Sequence, residues 1–363
     1  MSVPAIRRAF LAVPRERFLS DVAAREGLPR VYQDQAIVTV FDERGAPASS
    51  SSQPSLMASM LERLELRPGH RVLEIGAGTG YNAALLARIV GARGEVISVE
   101  LDPATARRAR SALATVKSAA SVVVGDGRDG WARGAPYDRI VVTASSPTVQ
   151  FAWHDQLADG GLLELPLVLH RGDQAQVIVT LRKDADVLRS TAVLGGGFMA
   201  LRDAPGAPVP SPPPSVAAHE RVDGDFRSLA QLSGAALRGL SRTRRRQLLA
   251  LALSEPRRRA LGLRAPLPDL MLYLTIQAPR DRLVGGWPAI GVISADGDGL
   301  ALLAGGPKAF TRIEAFGDGD AERLLIELIE TWKHCGRPAA DDLQVTVDFD
   351  RTQRSAVRMI WDC

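Results

Sequence analysis

The run Val72-Leu73-Glu74-Ile75-Gly76-Ala77-Gly78-Thr79-Gly80-Tyr81-Asn82 constrains this chain more than any other stretch. It reads as a short buried strand entering a glycine-rich turn, followed by a helical run over 83–90. Glycines at 76, 78 and 80 let the backbone approach a ligand where a side chain would hold it off. From 71 to about 194 apolar runs alternate with helical patterns, the signature of a parallel sheet with crossover helices. The spacing predicts strands over 71–75, 95–100, 121–124, 137–144, 161–169, 176–181 and 187–194. Helices are expected over 82–90, 103–116 and 151–157. Only Lys183-Asp184-Ala185-Asp186 separates the last two strands, so they form an antiparallel hairpin. The fold class is α/β, a doubly wound Rossmann-like domain closed by that hairpin.

Upstream, residues 4–19 read as a helix broken at Val13-Pro14, because the residue before a proline disfavours the helical region. Residues 31–40 read as extended. The run Ser49-Ser50-Ser51-Ser52-Gln53-Pro54 reads as a loop with one helix cap, opening a helix over 56–64. Six prolines between 205 and 214 mark a semi-rigid linker. Three segments follow: a catalytic domain over 1–201, a linker over 202–218 and a smaller α+β domain over 219–363. In the last of these, helices are expected over 226–253 and 321–333, and strands over 270–277, 289–294, 299–303 and 343–349.

Composition narrows the class. Of 363 residues 46% are hydrophobic and 24% charged, enough for a sizeable core. The formal net charge is only +4, and four of the 45 basic residues are lysine. A global nucleic-acid footprint is not indicated. Arg242 to Arg246 and Arg257 to Arg259 have no interleaved aromatics, which favours a solvated face over a phosphate-binding surface. Two cysteines, Cys335 and Cys363, do not make a disulfide framework and lack metal-ligand spacing. No apolar run reaches the roughly 20 residues of a membrane span, and no signal pattern opens the chain. The expectation is a soluble, cytoplasmic protein without a metal.

The turn spacing is G-x-G-x-G rather than the G-x-G-x-x-G of dinucleotide folds, and Glu74 precedes the first glycine by two places. That combination points to S-adenosylmethionine rather than NAD. Glu100 ends the second expected strand, where an acidic side chain in such folds accepts from both ribose hydroxyls. Gly125-Asp126-Gly127 ends the third, with Asp126 placed for an adenine amino group. The cofactor set is expected to be Glu74, Gly76, Ala77, Gly78, Gly80, Tyr81, Asn82, Glu100, Leu101, Gly125, Asp126, Gly127 and Thr143.

Along residues 9–168 the chain resembles the protein-L-isoaspartate (D-aspartate) O-methyltransferases. The matching segments are Val13-Pro14-Arg15-Glu16-Arg17-Phe18, Tyr32-Gln33-Asp34, Ser52-Gln53-Pro54, Val72 to Tyr81, Gly125-Asp126-Gly127, Ala135-Pro136-Tyr137-Asp138, Val142-Thr143-Ala144, and Gln156-Leu157 with Gly160-Gly161. The resemblance implies that Ser52 meets the carboxylate being methylated, with Ser51, Gln53, Pro54 and Ser145 beside the substrate. Such a site needs no general base, since a carboxylate is already ionised at neutral pH. Two segments depart from the family. Gly45-Ala46-Pro47-Ala48 and the serine run replace a Gly-Tyr-Gly-Gln-Thr-Ile segment, and Glu164-Leu165-Pro166-Leu167 replaces Ile-Pro-Val-Gly. With the extra domain, these departures favour a dedicated tailoring enzyme for ribosomally made peptides. It would esterify an aspartate whose ester collapses to a succinimide (aspartimide) or isoaspartate. The C-terminal domain would hold the peptide, with strand edges or Trp361 offering a groove. The alternative is general isoaspartyl repair with an appended domain, and an RNA methyltransferase is the third reading. The sequence leaves the oligomeric state open.

Overall fold

The computed structural model describes residues 3–169, 175–202, 204, 215–222, 225–286, 289–306 and 309–361. Most of the expected proline linker, 203 and 205–214, lies outside the described residues, as does Cys363. The chain divides into two compact units, and residues 1–168, 176–210 and 344–359 make up the first.

The first unit begins with α1 (Pro4–Ala12), α2 (Ser20–Glu26) and α3 (Leu28–Val31). A two-stranded antiparallel hairpin follows, β1 (Ile37–Phe41) with β2 (Pro47–Ser51), in which Ile37 faces Ser51 and Val38 faces Ser50. The serine run is therefore a strand, not a loop with a cap. Helix α4 (Pro54–Arg63) opens on a proline at its first turn, where a missing N–H costs nothing. Its next amide, from Ser55, is bonded by the Asp34 carboxylate at 2.8 Å.

The sheet strands are β3 (Arg71–Ile75), β4 (Glu95–Glu100), β5 (Ser121–Val124), β6 (Tyr137–Val142), β7 (Leu157–Val168), β8 (Gln176–Asp184) and β9 (Val187–Gly195). Strands β3, β4 and β6 are buried along almost their whole length, as expected of parallel strands covered on both faces. Helices α5 (Tyr81–Val90), α6 (Pro103–Thr115) and α7 (Phe151–Gln156) connect them. The order runs β5-β4-β3-β6-β7-β8-β9, parallel through β7 and then antiparallel. The chain order reverses between β3 and β6, the switch point at which ligands bind in open α/β sheets.

In the second unit, β10 (Ser215–Val222) and β11 (Asp225–Ser233) form a hairpin. They are followed by α8 (Arg242–Ala252), β12 (Arg257–Pro266) and α9 (Leu267–Gln277). Strands β13 (Leu283–Gly286), β14 (Ala289–Ile293), β15 (Gly299–Gly306) and β16 (Ala309–Gly317) complete a seven-stranded sheet, ordered β10-β11-β13-β14-β15-β16-β12. On α10 (Asp320–His334), Ala321, Leu325, Ile329 and Trp332 form the buried stripe, at the spacing of one helix face. Two expectations fail here. Residues 226–233 are strand rather than helix, and 270–277 are helix rather than strand, because a short apolar run carries no period to separate the two. Trp361 offers no open groove: it is buried, its indole N–H donates to Ala339 O at 3.2 Å, and its ring packs 5.2 Å from Tyr273. In the arginine runs, Arg244 bonds Asp298 at 2.7 Å, and Arg257 and Arg258 pair with Glu322 and Glu314.

The chain then supplies β17 (Gln344–Phe349) and β18 (Ser355–Ile360). These do not stay with the second unit, as a domain over 219–363 would require. Strand β17 pairs antiparallel with β9, Thr346 opposite Arg189 and Val347 opposite Leu188, and with β18 at its outer edge it widens the first sheet from seven strands to nine. Val345 N–H also donates to Ser190 Oγ at 2.8 Å, and Phe349 packs edge-on to Phe151 at 5.5 Å. Among the described residues no helix is long and apolar enough to cross a membrane.

Candidate active site

Gly76 leaves β3 at φ +96°, a region closed to most side chains, and a Cβ there would stand 2.6 Å from Thr143 Oγ1. Thr143 follows β6, and its hydroxyl donates to Ile75 O at 2.9 Å and Gly76 O at 2.7 Å. The turn and the end of β6 are thus tied together at the switch point. Gly78, at φ +52°, faces the serine strand: a Cβ would meet Ser50 O at 3.3 Å and Ser49 Oγ at 3.7 Å. Gly80 caps α5 in the left-handed region. The β1–β2 hairpin therefore lies directly over the glycine turn. This contact between segments far apart in sequence places Ser49 and Ser50 of β2 beside the turn.

Glu100 lies at the end of β4, 7% exposed. One carboxylate oxygen accepts from Gly78 N–H at 3.0 Å and the other from Asp102 N–H at 3.1 Å. Each oxygen has acceptor capacity beyond the one bond it makes here. Gly125 N–H donates to Glu100 O at 3.1 Å, bringing the third strand end alongside. Asp126 carries a tight pair with Arg128, 2.6 Å, which holds its carboxyl below the usual range. A Cβ on Gly127 would strike Ile75 at 2.4 Å, so only glycine lets this turn close on β3.

Glu74 and Tyr81 face inward instead. Glu74 is fully buried, accepting from Ser98 Oγ at 2.5 Å and Asn82 Nδ2 at 2.8 Å. Burial pushes its carboxyl up to about 7 against those two hydrogen bonds. Its place is behind the turn, locking β3 to β4 and to the first turn of α5. Tyr81 is 3% exposed, packed edge-on to Phe10 and 5.5 Å from Phe18, and burial raises its phenol well above the ordinary value. Ala77 is buried beside it, and Leu101 is half-buried after Glu100.

The expected substrate residues fall into two groups. Ser52 is half-buried beyond the end of β2. Its neighbours are tied up: Ser51 Oγ accepts from Arg15, Gln53 Nε2 donates to Asp34 at 3.1 Å, and Pro54 starts α4. Ser145 is 2% exposed, its N–H on Met199 O and its carbonyl on Leu201 N–H, both at 2.8 Å. Sequence reasoning named Arg15 and Asp34 only inside matching segments and gave them no role. Arg15 is 1% exposed and bonds the serine segment, while Asp34 holds Gln53 and Ser55. Among the described residues no three His, Cys, Asp or Glu side chains are placed to hold a metal ion.

S-adenosylmethionine fits this edge. The turn carries no side chain at Gly76, Gly78 or Gly80, and Glu100 and Asp126 stand at successive strand ends. The residues that would hold it are Gly76, Gly78, Glu100, Asp126 and Gly127. The sequence profile of the protein-L-isoaspartate (D-aspartate) O-methyltransferase family matches residues 1–204. The chain belongs to that family. A protein-L-isoaspartate O-methyltransferase of Anaeromyxobacter dehalogenans strain 2CP-1 is 40% identical over 202 residues, 55% of this chain and 90% of its own. One from Thermotoga maritima is 39% identical over 180 residues, 49% of this chain and 55% of its own. A solved protein-L-isoaspartate O-methyltransferase superposes on 98% of this chain and 95% of its own, at TM-score 0.54 and 26% identity. The first unit is thus a class I S-adenosylmethionine-dependent methyltransferase fold, and the protein is a protein carboxyl O-methyltransferase using S-adenosylmethionine. The second unit is no mark of a departure from that family, since a solved member matches nearly the whole chain.

Proposed function

We propose that the protein methylates the side-chain carboxylate of isoaspartyl residues in proteins and peptides, as a general repair enzyme. The observation that carries this reading is the serine strand seated on the glycine turn, with Ser50 O 3.3 Å from where a Gly78 Cβ would stand. With the hairpin so seated, Ser52 follows two residues after the contact and is the hydroxyl this reading assigns to the substrate carboxylate. The relatives named above, all protein-L-isoaspartate O-methyltransferases, support the isoaspartyl substrate.

The chain's residues have little chemistry to supply. The substrate carboxylate is ionised at neutral pH, and Ser52 Oγ would donate to one of its oxygens while the other faces the methyl group. When bound, S-adenosylmethionine would supply the methyl as an electrophile and leave as the neutral thioether, so that the new O–C bond replaces the C–S bond. No proton moves in that step. The work of Ser52 and the hairpin is alignment, worth several kcal/mol when the geometry is near attack. Once the ester has formed, the following backbone nitrogen attacks its carbonyl, methanol leaves and a succinimide closes. Water then opens that ring to aspartate or isoaspartate. We assign substrate recognition to the second unit.

A dedicated tailoring enzyme for one aspartyl peptide is the second reading, favoured by Ser51 and Glu164 in the two segments that depart from the family pattern. Labelled S-adenosylmethionine with paired aspartyl and isoaspartyl peptides separates the two by mass spectrometry. Repair gives a gain of about 14 Da on the isoaspartyl peptide alone, one CH₂. The reverse preference sinks repair and supports tailoring.

A further inference from the structure

Arg15 is a buried cation whose hydrogen-bond acceptors are all neutral. Nη1 donates to Val31 O at 2.8 Å and Gln33 O at 3.3 Å. Nη2 donates to Gln35 O at 3.4 Å, Ser51 Oγ at 3.3 Å and Ser52 O at 2.9 Å. The guanidinium carbon stands 5.9 Å from the centre of the Tyr81 ring. One side chain thus gathers the segment after α3, the end of β2 and the start of α5. Removing a guanidinium from water without a carboxylate partner is costly. Apolar packing could tether the same segments without that penalty. What apolar packing cannot do is point: the planar fork fixes the direction of each acceptor as well as its distance.

Two of those acceptors flank the same peptide, Ser51 Oγ and Ser52 O. On the far side Gln53 and Ser55 are held by Asp34. Ser52 is therefore gripped before and after, and its hydroxyl takes no part in that grip. We propose that Arg15 is a positioning residue, acting through Ser52 O and Ser51 Oγ to set where the Ser52 hydroxyl stands over the glycine turn. The proposal rests on the assignment of Ser52 to the substrate carboxylate. It adds that the alignment comes from a residue more than 30 positions upstream, and that Ser51 serves as a second point of attachment rather than a substrate contact.

The test uses the full chain with Arg15→Lys, Ser51→Ala, the double variant and Ser52→Ala. Lysine keeps the charge but loses the fork. Arg15→Lys is expected to lower kcat about 20-fold on an isoaspartyl peptide, most of the effect of losing the Ser52 hydroxyl itself, since a misplacement near 1 Å forfeits most of what alignment supplies. Affinity for S-adenosylhomocysteine, read by calorimetry, should stay within about twofold, well under 1 kcal/mol. Ser51→Ala should cost about fivefold in kcat, and the double variant little more than Arg15→Lys alone, as expected of residues acting as one unit. Deuterium uptake over 47–53 should rise in Arg15→Lys while that over 71–100 does not. Unchanged kcat, unchanged uptake over 47–53, or additive losses in the double variant would each overturn the proposal. A parallel loss of kcat and S-adenosylhomocysteine affinity would make Arg15 a fold element only. Should Arg15→Lys not fold, Ser51→Ala with wild-type kcat also overturns it. If Ser52→Ala keeps full activity, the assignment of Ser52 fails, yet the uptake readout still reports whether Arg15 holds the segment.

Discussion

The glycine turn and the serine strand touch each other, and they are ordered by opposite means. The turn is fixed by what lies next to it: Ile75 and Gly76 by Thr143, Gly78 by Glu100, and the first turn of α5 by Glu74 through Asn82. These partners sit on neighbouring strands of one rigid sheet. The serine strand has only a two-stranded hairpin, β1 with β2, which alone is marginal in water. Its order comes from single side chains, Arg15 and Asp34, reaching in from the N-terminal segment. Cofactor binding is thus built on the sheet, while substrate alignment is built on a bracket that other residues hold.

That contrast can be broken from either side. The largest effect is expected from Gly76→Ala, which forces a Cβ to within 2.6 Å of Thr143 Oγ1 at a positive φ. Strain and overlap of about 4 kcal/mol would weaken S-adenosylhomocysteine binding about 1000-fold by calorimetry. Next is Glu74→Gln. The fold prefers the neutral acid, with its carboxyl near 7 against 4.5 in the unfolded chain, so unfolding releases a proton across that interval. Stability is therefore fully present below 4.5 and lost as pH rises through 7, by up to about 3 kcal/mol. Glutamine removes that loss. Its Tm should exceed wild type at pH 8, with the gap closing at pH 5; a constant gap would mean that Glu74 does not titrate there.

Ser52→Ala tests the other region. It should lower kcat/KM about 30-fold, near 2 kcal/mol, and leave S-adenosylhomocysteine affinity unchanged. A loss of cofactor affinity would show that the two regions are not separable. The smallest effect is expected from Arg128→Ala, which frees Asp126 Oδ2 and leaves Oδ1 only the backbone N–H of residue 128. Cofactor affinity should rise about threefold, under 1 kcal/mol, whereas Asp126→Ala should lower it.

The same contrast explains what the sequence could tell. The strands from 71 to 168 were legible because valine and isoleucine runs broken by Gly-x-Gly and Gly-Asp-Gly state their geometry locally. The position of Glu100 and Asp126 at strand ends followed from counting along them. The serine run was not legible, since four serines have weak strand preference, and the partner that makes them a strand, Ile37 to Phe41, lies beyond a turn. Arg15 carried only a motif as its signal; its role depends on acceptors at 31, 33, 35, 51 and 52, which no local pattern brings together. Glu74 was misplaced toward the ligand because spacing does not say which way a strand residue faces. For α9 a run of leucines without a clear period read equally well as a strand, and the membership of β17 in the first sheet rests on backbone pairing to a strand some 150 residues earlier.

That last pairing has a consequence in time. A ribosome making this chain at about 5–20 residues per second takes roughly 7–30 s to travel from β9 to β17. For that interval β9 is an open edge, with the amides and carbonyls that edge strands otherwise offer to other chains. The nascent first unit is a sheet waiting for its border while the second unit is made. Shortening the chain after residue 210 would make that interval permanent, so a version without the second unit has to be spliced around residues 211–343 rather than cut.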